Sequence, residues 1–182
     1  MTRKDNQVLG GSLEALVSDI RACRLCRDAP RGAALPHEPR PALRVSPSAR
    51  ICICGQAPGT RVHASGTPFT DPSGDRLREW MGIGEAEFYD ASRIAIIPMG
   101  FCFPGTGAGG DMPPRPLCAK LWRERLLDRL TAIQLTLVIG HHATAWHLPG
   151  DKRSLTALAS DWQSRWPALV VLPHPSPRNN RW

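Results

Sequence analysis

Four short segments of this chain are almost wholly apolar: RICIC at 50–54, RIAIIP at 93–98, LTLVI at 135–139 and LVVL at 169–172. A strand with one wet face alternates apolar and polar residues. One that is apolar throughout has both faces covered, as in a parallel sheet sandwiched by helices. The intervals between these segments carry helical spacing. Leu13, Leu16, Val17 and Ile20 share a face behind a potential cap at Ser12, and Leu121, Leu126, Leu127 and Leu130 share another within 117–130. Shorter helices are expected at 75–81, 143–147 and 155–166. The pattern predicts a three-layer α/β/α fold with a central, mainly parallel four-stranded sheet. The 182 residues suit one domain, 1–182, large enough to bury a core without staples. Two stretches read as surface loops: the proline- and arginine-rich 29–48, and the glycine- and proline-rich 104–116, which is long enough to imply a use.

In such a sheet, ligands bind outside the carboxyl ends of the strands. Those ends read GQAPG, PMGFCFPG, GHHA and PHPSPRNNRW. His174, held between Pro173 and Pro175, is well placed to donate a hydrogen bond to charge developing on a substrate oxygen. Ser176, Pro177 and Arg178 form a short stiff loop with a positive tip, suited to a phosphate contact and to insertion between bases. Taken alone, HPSPRN is equally an ordinary turn. His141 and His142 are adjacent on an expected helix and should point apart, which argues against a metal pair.

The formal charge of +7, with arginine far commoner than lysine, favours a polyanionic partner. No apolar run approaches the roughly 20 residues of a membrane span, and the amino terminus lacks the apolar stretch of a secretory signal. A cytoplasmic protein is therefore expected. In that compartment six cysteines suggest metal binding more than disulfides, with Cys52 and Cys54 read as small buried hydrophobes.

The loop Gly55, Gln56, Ala57, Pro58, Gly59 after the first strand, together with His174, Pro175, Ser176 after the last, resembles the two motifs of the uracil-DNA glycosylase superfamily. The resemblance runs over nearly the whole chain. It implies a base-excision-repair enzyme that flips a base out of DNA and hydrolyses its N-glycosidic bond. Gly55, Ala57, Pro58 and Gly59 would line the base and sugar, and Phe69 would stack on the base. Ser176 would contact substrate, and Arg61, Pro177, Arg178 and Arg181 would contact DNA. A monomer is expected, acting on DNA that contains uracil or another damaged base, with no membrane partner. Cys23 and Cys26 form C-x-x-C, and Cys102 and Cys118 follow with fifteen residues between them. That arrangement resembles the iron–sulfur branches of the superfamily and implies a structural 4Fe–4S cluster, although four cysteines also suit zinc.

Motif one departs from those branches. Gln56 stands where they carry an acid, and Val62 and His63 stand where they carry an acidic pair. The asparagine that reads the uracil edge is absent around Pro98 and Met99, which leaves Met99 at that wall of the pocket. Losing this amide should relax selectivity, so other deaminated or damaged bases are expected substrates. Candidates for handling water are Gln56 through its amide, Asp71 in a stretch similar to one in a sister branch, and His63. Asp71 could equally cap the following helix. No lysine in the motifs could form a Schiff base, so a monofunctional enzyme is expected. Two other readings stay open: a catalytically weak or inactive binder of uracil-containing or abasic DNA, and a nucleotide-dependent enzyme on a flavodoxin-like sheet. GQAPG is a poor phosphate loop for the latter.

Overall fold

The computed structural model describes residues 11–177 and residue 179. Strands β1 (Ile51–Cys54), β2 (Ile94–Ile96), β5 (Leu135–Ile139) and β6 (Leu169–Leu172) form one parallel sheet in the order β2-β1-β5-β6. Ile51 pairs with Ile94 on one side and Leu135 on the other, while Thr136 pairs with Leu169. The chain leaves β1 toward β2, then returns past β1 to β5. That reversal places a topological switch point at the carboxyl end of β1. Helices α1 (Leu13–Arg21) and α2 (Leu25–Asp28) precede the sheet. Between β1 and β2 lie α3 (Thr60–Ser65), α4 (Pro72–Met81) and α5 (Glu85–Phe88).

Alternation along each strand divides the core into two layers. Cys52, Cys54, Ala95, Ile97 and Val138 pack with Leu16 and Ile20 of α1. Ile53, Ile94, Ile96, Leu137 and Ile139 pack with Leu77 of α4 and Phe88 of α5. The fully apolar strands predicted both layers. Side-chain caps set the start of α1 and α4. Ser12 accepts from Ala15 N at 3.3 Å at the start of α1, and Asp71 accepts from Gly74 N at 3.1 Å at the start of α4. The second cap, with Pro72 at the first helical position, starts α4 three residues earlier than the expected 75.

Four sequence expectations change. The 29–48 segment does not simply wander over the surface: Leu35, Ala42 and Leu43 are buried, and Arg44 bridges Ile96, covering the edge of β2. The glycine–proline loop folds into a hairpin of β3 (Thr106–Gly107) and β4 (Gly110–Asp111). The long helix at 117–130 is α6 (Pro116–Cys118), a π-helical segment (Ala119–Arg123) and α7 (Glu124–Leu127). After β5 come α8 (Gly140–His147), α9 (Leu155–Ser160) and a 3-10 turn (Trp162–Arg165). At the start of α8 the rings of His141 and His142 lie 3.9 Å apart rather than pointing away from each other. Among the described residues no helix is long and apolar enough to cross a membrane.

Candidate active site at the strand ends

The loop after β1 is pinned to the end of β2. Met99 N donates to Gly55 O at 2.9 Å and Gly100 N to Gln56 O at 3.0 Å. A cleft of about 450 Å3 opens above, walled by Gly55, Gln56, Ala57, Pro58 and Gly59 on one side and by Phe69, Asp71 and His174 on the others. A methyl group on Gly55 would stand 3.3 Å from Phe69 Cζ, so glycine lets backbone and ring approach closely.

Phe69 has a φ of +59°, a conformation costing roughly 1–2 kcal/mol for a residue with a Cβ. Three neighbours hold it there. Arg78 Nη1 donates to Phe69 O at 3.3 Å, and Tyr89 Oη shares its hydrogen between Pro68 O and Phe69 O at 2.8 and 3.0 Å. Gly74 leaves room for the Phe69 carbonyl. The ring meets Phe88 edge-on at 5.9 Å and remains half-buried in the cleft wall. Strain held by surrounding structure and aimed into a cavity marks a residue kept for use.

His174 follows β6 directly. Its Nδ1 accepts from Ser176 N at 3.2 Å, which leaves the proton of the neutral ring on Nε2. Burial lowers its pKa; Asp71 and Asp111 pull the other way, and His141 reinforces the lowering. A neutral imidazole with Nε2–H can donate to an oxygen gathering negative charge without first losing a proton. Arg76 Nη1 on α4 donates to Ser176 O at 3.1 Å and Asn179 Nδ2 to His174 O at 2.9 Å, so the loop is braced from both ends.

A wider cleft, about 1270 Å3, shares Gln56, Asp71 and His174 and adds Ser176, Pro177, Thr106 and Asp111. The structure thus gathers most of the residues singled out in the two motifs. Asp71 lines both clefts, but one carboxylate oxygen caps α4. His63 is a correction: it lines neither cleft, because α3 winds it onto His37 at 4.2 Å and Phe103 at 5.9 Å between ring centroids. Met99 is likewise in the core and not on the cleft wall, since it shares the ladder that ties β2 to Gly55. Arg61 is exposed on α3, and Arg178 and Arg181 lie outside the described residues.

The sequence reading missed Asp111, whose only signal was a glycine–proline loop too long to be idle. It also missed Arg123, which is fully buried at the end of the π-helical segment. Arg123 Nη1 donates to Ile97 O at 2.7 Å and Pro98 O at 2.9 Å. Its Nη2 reaches Cys54 Sγ at 3.4 Å and His147 Nε2 at 3.0 Å. The guanidinium lies 4.7 Å from the Trp146 ring centroid. One side chain thereby ties together the ends of β1 and β2 beneath the cleft. The hydrogen bond shared with Cys52, together with His147 and Arg123, holds the Cys54 thiol below its ordinary range. Cys54 accepts from the buried guanidinium and is therefore more than a small hydrophobe.

On the face of the sheet that carries α1, a separate small cavity is lined by Cys23, Cys26, Cys102 and Cys118 among Ile20, Leu35, Phe101 and Trp122. Cys118, with a hydrogen bond, and Arg115, with its charge, hold the Cys26 thiol below its ordinary range. No three His, Cys, Asp or Glu side chains among the described residues lie close enough to share a single ion. The four thiols instead surround an apolar space. Residues 44–182 match the family model described as the uracil DNA glycosylase superfamily.

Proposed function

The chain belongs to the uracil DNA glycosylase superfamily, and from that membership we propose that it excises uracil from DNA by hydrolysing the N-glycosidic bond. The observation that carries this reading is His174: neutral, with Nδ1 occupied and Nε2–H available, in a cleft shared with Phe69. An extruded base stacks on Phe69 while the backbone of Gly55, Ala57, Pro58 and Gly59 encloses its sugar. Bond breaking leaves cationic character on the sugar and negative charge on the base, which His174 stabilises; such a preorganised donor is worth roughly 3–4 kcal/mol. Gln56 and Asp71 face the same space and orient water. With Met99 in the core, the cleft wall lacks a side-chain amide at that position, and other deaminated or damaged bases fit as well. The absence of a motif lysine makes the enzyme monofunctional. DNA is held as a monomer complex by phosphate contacts from Arg61, Arg178 and Arg181, with Pro177 in the stiff loop that inserts between bases and Ser176 against the substrate.

The test is release of free base from oligonucleotides carrying a single uracil, hypoxanthine, xanthine or ethenocytosine, with abasic product revealed by alkali. His174→Ala is expected to slow release about 100-fold. Gln56 in the acid's position favours a second reading, a binder of uracil-containing or abasic DNA that releases nothing. Tight retention with no base released by wild type would establish it.

The four cysteines line one apolar cavity, and four thiols are the donor set an iron–sulfur group takes. Cys23, Cys26, Cys102 and Cys118 would hold a 4Fe–4S cluster, which supplies a crosslink between the amino-terminal helices and the 102–118 segment rather than chemistry. Protein purified without oxygen is expected to be brown, with about four iron atoms per chain. Cys26→Ser should lose the colour and Cys52→Ser should keep it. Colourless wild-type protein with about one zinc per chain would replace the cluster by zinc.

A further inference from the structure

We propose that Asp111 is a catalytic residue of this active site, the carboxylate that takes the proton from the attacking water; the inference rests on the glycosylase reading above. Four observations converge on it. First, the β3–β4 hairpin holds the residue in place. Thr106 pairs with Asp111, Gly107 pairs with Gly110, and Met112 N donates to Gly105 O at 2.8 Å. Second, the carboxylate reaches the loop after β1: a methyl group on Gly59 would stand 3.0 Å from Asp111 Oδ2. Gly59 has a φ of −88°, which any residue adopts, so this glycine serves space and not backbone freedom. Third, Asp111 lines the same cleft as Gln56, Asp71 and His174, and its charge acts on the His174 ring.

Fourth, Asp111 is spare. No hydrogen bond or ion pair joins its side chain to another described residue, in a chain with a surplus of seven positive charges. Asp71 is not spare in this sense, because Oδ1 already accepts from Gly74 N at 3.1 Å. A lone carboxylate at the mouth of a DNA-binding cleft repels phosphate, so holding one there weakens binding of the ground state. It gains only when a cation appears beside it. The glycosidic reaction makes that cation at the sugar, and it also needs an acceptor for a proton. The step balances as follows. The C1′–N bond breaks with its electron pair leaving on the base. The water oxygen then bonds to C1′ and one of its protons passes to an Asp111 oxygen, which later returns it to solvent. The residue missing from motif one, where Gln56 cannot accept a proton, is in this way supplied from a different part of the chain.

Asp111 is exposed, so its variants should fold as wild type does. Asp111→Asn and Asp111→Glu would be compared with wild type in single-turnover release from uracil-containing single-stranded DNA at saturating enzyme. Affinity would be measured separately with an abasic-analogue oligonucleotide. Asp111→Asn is expected to lower the rate about 100-fold, with unchanged or tighter binding of the analogue, and Asp111→Glu to restore part of the rate. An Asp111→Asn rate within about 2-fold of wild type, or a rate loss matched by weaker DNA binding, would overturn the proposal while leaving a glycosylase. Wild type that releases no base would remove the glycosylase reading itself, and Asp111 with it; the wild-type arm separates the two failures.

Discussion

Replacing Gly74 with alanine is expected to cost more than about 3 kcal/mol of stability and to remove base release along with it. A Cβ at position 74 would lie 1.8 Å from Phe69 O, 2.6 Å from its carbonyl carbon and 2.9 Å from its Cβ. These distances are far inside van der Waals contact, and two of the three atoms are backbone. Neither partner is free to yield. Phe69 O is tied by Arg78 and Tyr89, and Gly74 N is tied by the Asp71 cap. Relief requires the first turn of α4 to unwind or Phe69 to abandon its positive φ, and either movement takes the ring from Gly55. For a chain of this size the melting temperature should fall by roughly 6–12 °C. Phe69→Ala serves as the comparison, since it removes the ring but keeps the backbone clamp. A Gly74→Ala protein that melts within about 2 °C of wild type and retains activity would show that the clamp does not hold Phe69.

Arg123→Met is expected to destabilise by about 1–3 kcal/mol for each buried acceptor it leaves without a donor. The methionine fills much of the space but leaves the Ile97 and Pro98 carbonyls without their donor and the Cys54 sulfur without its cation. Arg123→Lys should recover only part of this, because an ammonium cannot present the planar fork that reaches both strand ends at once. The loss is expected to reach the cleft, since Pro98 lines it and Gly55 follows Cys54 directly. Denaturant midpoints for wild type, Arg123→Met, Arg123→Lys and Cys54→Ser would check the order. Cys54→Ser, which keeps an acceptor, should be the mildest. An Arg123→Met midpoint equal to that of wild type would mean the buried cation contributes nothing net.

Much of the site was legible in the chain because parallel strands announce themselves. Wholly apolar runs marked β5 and β6 to the residue and β1 and β2 to within two, so the loops carrying Gly55–Gly59 and His174 fell at carboxyl ends as expected. Short-range signals failed where the determining contact was distant. Nothing local distinguishes Arg123 from the solvated cations around it in KLWRER; it becomes a core residue only when β1, β2 and α8 converge on its guanidinium. Asp111 sits in a two-residue strand of glycine and polar residues, which has no hydrophobic period to read. His63 follows motif one closely enough to suggest a role at the site, yet one turn of α3 carries it onto His37 and Phe103.

The layered architecture, the cleft at the strand ends and two of its walls, GQAPG and HPS, follow from periodicity or from residues adjacent in the chain, and so are legible in the linear order of residues. Folding alone selects the side chains that share that cleft in usable states: Phe69 clamped in a strained backbone, His174 with its proton on Nε2, Asp111 brought in by a hairpin, Arg123 sealed beneath. Those states depend on hydrogen bonds and close approaches between residues tens of positions apart. Nothing in a local stretch of sequence encodes such contacts until the sheet has brought the strand ends together.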